Sequence, residues 1–255
     1  MPVDILILKY YLWDRFFINA RMNTAQKNIK YQNAVSSIQN LYYEQNLLPP
    51  ERLDECSFTI FDLETTGFFP EIGHEIISIG AVKVNNLQID YNHTFYKVIN
   101  PLRRVSKQTK KLTGLEDHIL LQGERFPTIF SEFLTFSKNS ILVAHPSSFD
   151  LNFLKRVCAS WNLPCHIPNW IDSHSLANDQ FPSQNNYLDQ LIDRYNVAQL
   201  DRHHALNDAM MTAEIFIELL QERHSELLVN FTDILEVQRD NNLSKKVSQY
   251  QTKNG

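Results

Sequence analysis

The run Phe58-Thr-Ile-Phe-Asp-Leu-Glu-Thr-Thr-Gly67 sets two carboxylates into a stretch that is otherwise β-branched, aromatic and aliphatic. Such a run reads as a strand. Strand side chains alternate between faces, so Phe58, Ile60, Asp62 and Glu64 share one face. Residues two apart on a strand lie roughly 6–7 Å apart, so the carboxylates are near neighbours. Two ionised carboxylates in an apolar setting are costly unless a positive charge sits between them. A divalent cation meets that need. The alternative is that both acids lie beyond the strand end, in water.

Downstream patterns place this run in a larger fold. Cys56–Leu63, Glu75–Val84 and Gln88–Ile99 read as three strands, the last two joined by an Asn85-Asn86 turn. Ser140–Ala144 reads as a short buried strand and Trp170–Asp172 as a short strand. Helical spacing marks Phe126–Phe136, Ser147–Ser160, Ser173–Asn178, Tyr187–Tyr195 and His204–Glu222. Three leading strands followed by strand–helix alternation predict an α/β sandwich with a mixed sheet. Before Pro49-Pro50, residues 1–55 carry helix-like intervals: Ile7, Tyr11 and Phe17, then Val35, Ile38, Leu41 and Tyr42. They form either a helical extension packed on the main domain or a docking element for a partner or for substrate. The expected organisation is a helical N-terminal extension (1–55), a main α/β domain (56–223) and a polar C-terminal tail (224–255).

Charge and cysteine usage narrow the setting. A net charge of -5 argues against a generally basic nucleic-acid coat, yet a carboxylate metal site is itself a negative patch. The densest basic cluster is Arg103-Arg104-Val-Ser-Lys107-Gln-Thr-Lys110-Lys111. A short helix ending near Gly114 sets Arg103, Lys107 and Lys110 or Lys111 on one side, as a solvated face or a phosphate-contacting edge. Three cysteines without a C-x-x-C pair suit reduced, buried thiols. No signal-peptide pattern and no membrane-length apolar run occurs, so the expected location is cytoplasmic, with no membrane partner.

Further candidates for chemistry stand near the ends of expected elements. Asp150 falls in Ala144-His-Pro-Ser-Ser-Phe-Asp150, where Ser147-x-x-Asp150 also fits a capping box at a helix start. Asp208 lies on a helix whose Ala205, Ala209, Thr212 and Ala213 allow close approach to a sheet. His203 stands just ahead of it.

Taken together, Asp62, Glu64, Asp150, His203 and Asp208 resemble the DEDDh 3′–5′ exonuclease family, to which the DNA polymerase III epsilon (proofreading) subunit belongs. Phe61-Asp-Leu-Glu-Thr-Thr-Gly67 matches its D-x-E-T-T-G motif. Leu142–Asp150 matches the second motif, and His203-His-Ala-Leu-Asn-Asp208 fits H-x-A-x-x-D. The resemblance covers roughly residues 56–222. One departure is His145-Pro146, where the family commonly carries H-N. Proline removes a backbone donor there and leaves the metal ligands untouched.

The resemblance implies an RNase H-like mixed sheet flanked by helices. It implies a hydrolase that releases 5′-mononucleotides from 3′ ends, with two Mg²⁺ or Mn²⁺ ions per site held by Asp62, Glu64, Asp150 and Asp208. His203 would be the general base, because an imidazole exchanges protons near neutral pH. Thr65, Thr66, Gly67, Phe68 and His145 would meet the terminal nucleotide, with Lys155 or Arg156 as phosphate contacts. Phe68 and Phe69 could equally cover the core. The expected substrate is single-stranded or frayed DNA. The alternatives are RNA, as in ribonucleases of the RNase T and oligoribonuclease type, or a polymerase-associated nucleic-acid-binding subunit. Residues 1–55 are the expected contact for a polymerase or another replication or repair partner.

Overall fold

The computed structural model describes residues 3–44, 52–166, 169–224, 230–236 and 238–239. The chain opens with helices α1 (Val3–Lys9), α2 (Arg15–Gln26) and α3 (Ile29–Glu44), a π-helical turn at Tyr10–Asp14 joining the first two. Three strands follow: β1 (Ser57–Thr65), β2 (Ile76–Asn85) and β3 (Gln88–Val98). Next come α4 (Lys107–Thr113), α5 (Asp117–Gln122), α6 (Phe126–Phe136), β4 (Ile141–Ala144) and α7 (Ser147–Ser160). Then come β5 (Trp170–Asp172), α8 (Ser173–Gln180), α9 (Leu188–Tyr195) and α10 (Ala205–His224), and residues 231–236 are also helical.

The five strands form one mixed sheet in the order β3-β2-β1-β4-β5. β1, β2 and β3 pair antiparallel, while β4 and β5 run parallel to β1. Alternation along β1 feeds two cores. Phe61 and Leu63 face a core with Phe130, Phe133, Phe153 and Trp161. Phe58 and Ile60 face the opposite core, with Leu176, Leu191 and Phe216. Asp62 and Glu64 continue the second face, just where that core gives way to the start of α10.

Several expectations change. β1 runs on to Thr65, beyond the expected end at Leu63, so both carboxylates stand in the ladder with β2. The β2–β3 turn is centred on Asn86 and Leu87, both at positive φ, one residue later than expected. α4 begins at Lys107 behind a Ser106 cap, which leaves Arg103 outside the helix. α7 begins at Ser147, whose hydroxyl has no hydrogen-bond partner, so Ser147 does not cap the helix.

The N-terminal helices are packed on the sheet domain. Ile18, Met22, Ile38 and Leu41 join the core of Phe130 and Trp161, and the Tyr31 hydroxyl donates to the Trp161 carbonyl at 2.8 Å. Beyond residue 223 the chain departs from a simple polar tail. Phe231 and Ile234 are buried in the second core, and the buried Gln238 side chain accepts the Asp172 N–H. The frayed end expected over 240–255 lies outside the described residues.

Candidate active site

The site grows from the end of β1. Asp62 lies opposite Gly80 in the ladder and Glu64 opposite Ser78, and the register shifts immediately after Glu64. Glu64 is 8 % exposed. A Cβ on Gly80 would collide with the backbone of Ala205 and Leu206, so the first turn of α10 rests on bare sheet backbone. Ala205 and Ala209 are fully buried on the same helix. This close seating delivers Asp208, 4 % exposed, to Glu64. One ligand atom each from Glu64, His203 and Asp208 lies within 4.8 Å of the others.

Asp150 comes from the first turn of α7 and is 2 % exposed. β4 stops pairing with β1 at Ile60, and beyond that point the Leu63 N–H lowers the Asp150 carboxyl against the effect of burial. His203 is exposed on the segment before α10, at φ 62, and its backbone N–H donates to Asp208 at 3.2 Å. His204 stacks on Tyr96 of β3 with ring centroids 4.3 Å apart, which anchors that segment.

The electrostatics are those of a site built for positive charge. Burial, then repulsion from Asp150, Glu64 and Asp208, raises the Asp62 carboxyl well above its ordinary range. Burial and Asp208 push Glu64 up to about 8. Burial also raises Asp150 and Asp208, and Arg202 restrains the rise at Asp208. Sequence reasoning missed Arg202. Its guanidinium pairs with Asp208 and, at 2.6 Å, with Asp189. A lone arginine next to His203 has no periodicity to single it out, and its role appears once α9 and α10 come together. Four carboxylates and an imidazole are hard oxygen and nitrogen donors without thiolates, a set that fits Mg²⁺ or Mn²⁺.

The expected nucleotide contacts divide into two groups. Thr65 Oγ donates to the Gly67 carbonyl at 2.8 Å, and Thr66 exchanges bonds with the Glu75 backbone, which fixes the turn. A Cβ on Gly67 would strike the His74 ring. Phe68 is 75 % exposed against Phe149, with centroids 6.3 Å apart, so it does not cover the core. His145 needs correction. It is buried, its Nδ1 pairs with Ser173 Oγ and its Nε2 with the Asn186 carbonyl, each at 2.9 Å. Burial, aided by His174, pushes it down to about 3, so it is a neutral internal brace with no nitrogen left for a nucleotide.

The basic candidates also change. Arg103 turns inward: its guanidinium donates to the carbonyls of Ile72 and Gly73, and its N–H to Glu75. Lys110 pairs with Glu116 and Asp117, and Arg156 with Glu71. Lys107, Lys111 and Lys155 are exposed.

Residues 59–216 match the RNase_T family, described as exonuclease. The chain is 34% identical over 194 residues to the DNA polymerase III subunit epsilon of Rickettsia prowazekii, covering 73% of this chain and 82% of that one. It is 33% identical over 190 residues to the PolC-type DNA polymerase III of Thermotoga petrophila, covering 72% of this chain. The chain spans 13% of that polymerase's length. Among solved structures, the nuclease domain of 3′hExo, a DEDDh family member bound to rAMP, superposes with TM-score 0.60 at 22% identity, covering 66% of this chain and 93% of that one. Exonuclease X in complex with 5′ overhanging duplex DNA gives 0.57 at 21% identity, covering 71% and 98%. The mixed five-stranded sheet with its flanking helices is thus the RNase H-like fold of DEDDh nucleases, and by its sequence match the chain belongs to the RNase_T exonuclease family.

Proposed function

We propose that this chain is a metal-dependent 3′–5′ exonuclease that removes nucleotides from single-stranded or frayed DNA 3′ ends. The observation that carries the reading is that Glu64, Asp208 and His203 bring ligand atoms within 4.8 Å of one another, with Asp62 and Asp150 near enough that the carboxylates repel each other. The four carboxylates would hold two divalent cations. Such ions, when bound, acidify a water and offset charge on the phosphate and the leaving oxygen.

The chain's own groups do the rest. His203, exposed at the rim, accepts the proton of the attacking water. The water oxygen forms the new bond to phosphorus, the bond to the 3′-oxygen breaks, and that oxygen takes up a proton from solvent. This releases a 5′-mononucleotide and leaves a 3′-hydroxyl on the shortened strand. The braced Thr65–Gly67 turn lets the nucleotide approach the backbone, and Phe68 offers a ring for its base.

DNA is favoured because the alignment covers most of the length of an epsilon subunit. The same similarity supports a polymerase as partner and a cytoplasmic setting. Residues 1–55 remain our candidate contact for that partner. Among the described residues, no helix is long and apolar enough to cross a membrane. End-labelled DNA and RNA of matched sequence, incubated with Mn²⁺, Mg²⁺ or EDTA, test the reading. Laddering from the 3′ end of DNA, abolished by EDTA, is expected. Faster loss of RNA would move the assignment to an exoribonuclease, and an inert protein would overturn it.

A further inference from the structure

A groove runs between the N-terminal helices and the Asn100–Val105 loop. It consists of three adjoining cavities of about 430, 620 and 530 Å³, and Arg21 lines all of them. Six cations face it: Lys9, Arg21, Lys30, Arg103, Arg104 and Arg125. Three carboxylates also line it, and each is held by a lysine: Asp14 by Lys9 at 3.1 Å, Asp117 by Lys110 at 2.8 Å and Glu124 by Lys30 at 2.5 Å.

The lysines thus pair with these acids, and among the arginines Arg103 still feels the Asp14 charge. Arg21 donates to the Leu102 carbonyl, Arg103 to the carbonyls of Ile72 and Gly73, and Arg125 to Asn100 and Pro101. Bonds to neutral carbonyls orient a guanidinium without cancelling its charge, and each retains further donors. Arg104 is exposed. The buried carboxylate of Glu75 lies behind the loop, where it takes the N–H groups of Leu102 and Arg103 and offsets part of this charge. At Arg125 burial lowers the pKa, Glu75 opposes this, and Arg21 adds a smaller like-charge contribution. Such a concentration of cations stands out in a chain whose net charge is -5.

Aromatic surface accompanies the charge. Trp13 is 65 % exposed and Phe17 48 %, and both line the groove. Fixed cations beside exposed rings suit a single nucleic-acid strand, whose phosphates pair with guanidinium groups while its bases stack. An acidic peptide would use the charge and leave the rings idle. The groove also adjoins the segment that follows the Thr65–Gly67 turn: Arg103 holds Ile72 and Gly73, and a Cβ on Gly73 would touch the Tyr10 ring at 2.6 Å.

We propose that this groove binds the backbone of the DNA strand upstream of the 3′ end, as a second contact separate from the carboxylate site. The inference rests on the exonuclease reading and gives the N-terminal helices a substrate-holding role.

The test measures binding of a fluorescent single strand of about 25 nucleotides to the full chain in EDTA, over a range of salt. Cleavage is then absent, and the four carboxylates repel the 3′ end, so the groove dominates the signal. Arg104→Glu is expected to weaken binding by about fivefold or more and to flatten the log–log salt slope by about 0.7 per lost phosphate contact. Trp13→Ala, a second folded-state probe, is expected to weaken binding about fivefold with the slope unchanged. Both variants are expected to hydrolyse the p-nitrophenyl ester of thymidine 5′-monophosphate with Mn²⁺ at the wild-type rate, since that substrate is too small to span both sites.

Wild-type affinity and slope in both variants would overturn the proposal. Displacement of the strand by polyglutamate at equal charge would reassign the groove to an acidic polypeptide and defeat the nucleic-acid claim. If wild type leaves the ester intact while the variants still lose strand binding, the exonuclease reading falls and the groove stands.

Discussion

Gly80 stands directly opposite Asp62 in the β1–β2 ladder, and the backbone of Ala205 and Leu206 occupies the space a side chain there would need. A residue that carries no chemistry thus sets how closely α10 can bring Asp208 to the β1 carboxylates. Gly80→Val is expected to push α10 off the sheet. Neighbouring backbone cannot yield as a flexible side chain does, so the loss of stability is expected at or above the ~1–3 kcal/mol of ordinary overpacking. A thermal melt with calorimetric Mn²⁺ titration checks this: both the melting temperature and the metal affinity are expected to fall.

Glu64 makes the metal-free protein sensitive to pH. Its folded pKa is raised from 4.5 to about 8, so between those values the folded state holds a proton that the unfolded state has released. Stability is therefore lost as pH rises through that window. Without metal, Glu64→Gln is expected to be more stable than wild type at pH about 8, by a few kcal/mol, with the gap closing towards pH about 5. Denaturant melts in EDTA at both pH values read the difference directly. Saturating Mn²⁺ is expected to reverse the order, because a bound cation stabilises the ionised form.

His203→Gln separates proton transfer from metal holding. If His203 takes the proton from water, hydrolysis is expected to fall by about 10²–10⁴-fold, with Mn²⁺ affinity close to wild type. A parallel collapse of metal affinity would make His203 a ligand, a role its distance from Glu64 and Asp208 also permits.

Phe68→Ala removes an exposed ring and little of the core. Loss of base stacking is expected to cost about 1–3 kcal/mol, appearing as a higher KM for single-stranded DNA with an unchanged melting temperature. A drop in melting temperature with KM intact would return Phe68 to a packing role.

Much of the fold was legible because alternation and helical spacing are local. The apolar faces of β1, β2 and α6 follow from residue order, and so do the carboxylates of Asp62 and Glu64 on one face. The motifs containing Asp150, His203 and Asp208 were legible as residue types, with the Ser147–Asp150 stretch open to a capping reading until the helix start was located.

Tertiary packing decided what distance in the chain conceals. Arg103 reads as one more cation on a basic helix, yet the buried Glu75 and the carbonyls of Ile72 and Gly73 draw it inward. His145 sits in a catalytic motif, yet Ser173 and Asn186 take both its nitrogens. Phe231, Ile234 and Gln238 lie in a polar segment and are buried all the same. Sequence alone determined which groups the site could contain, because those are properties of single residues and near neighbours. Only the folded chain decided which of them meet, because close approach depends on the space that distant residues leave, as Gly80 does for Ala205.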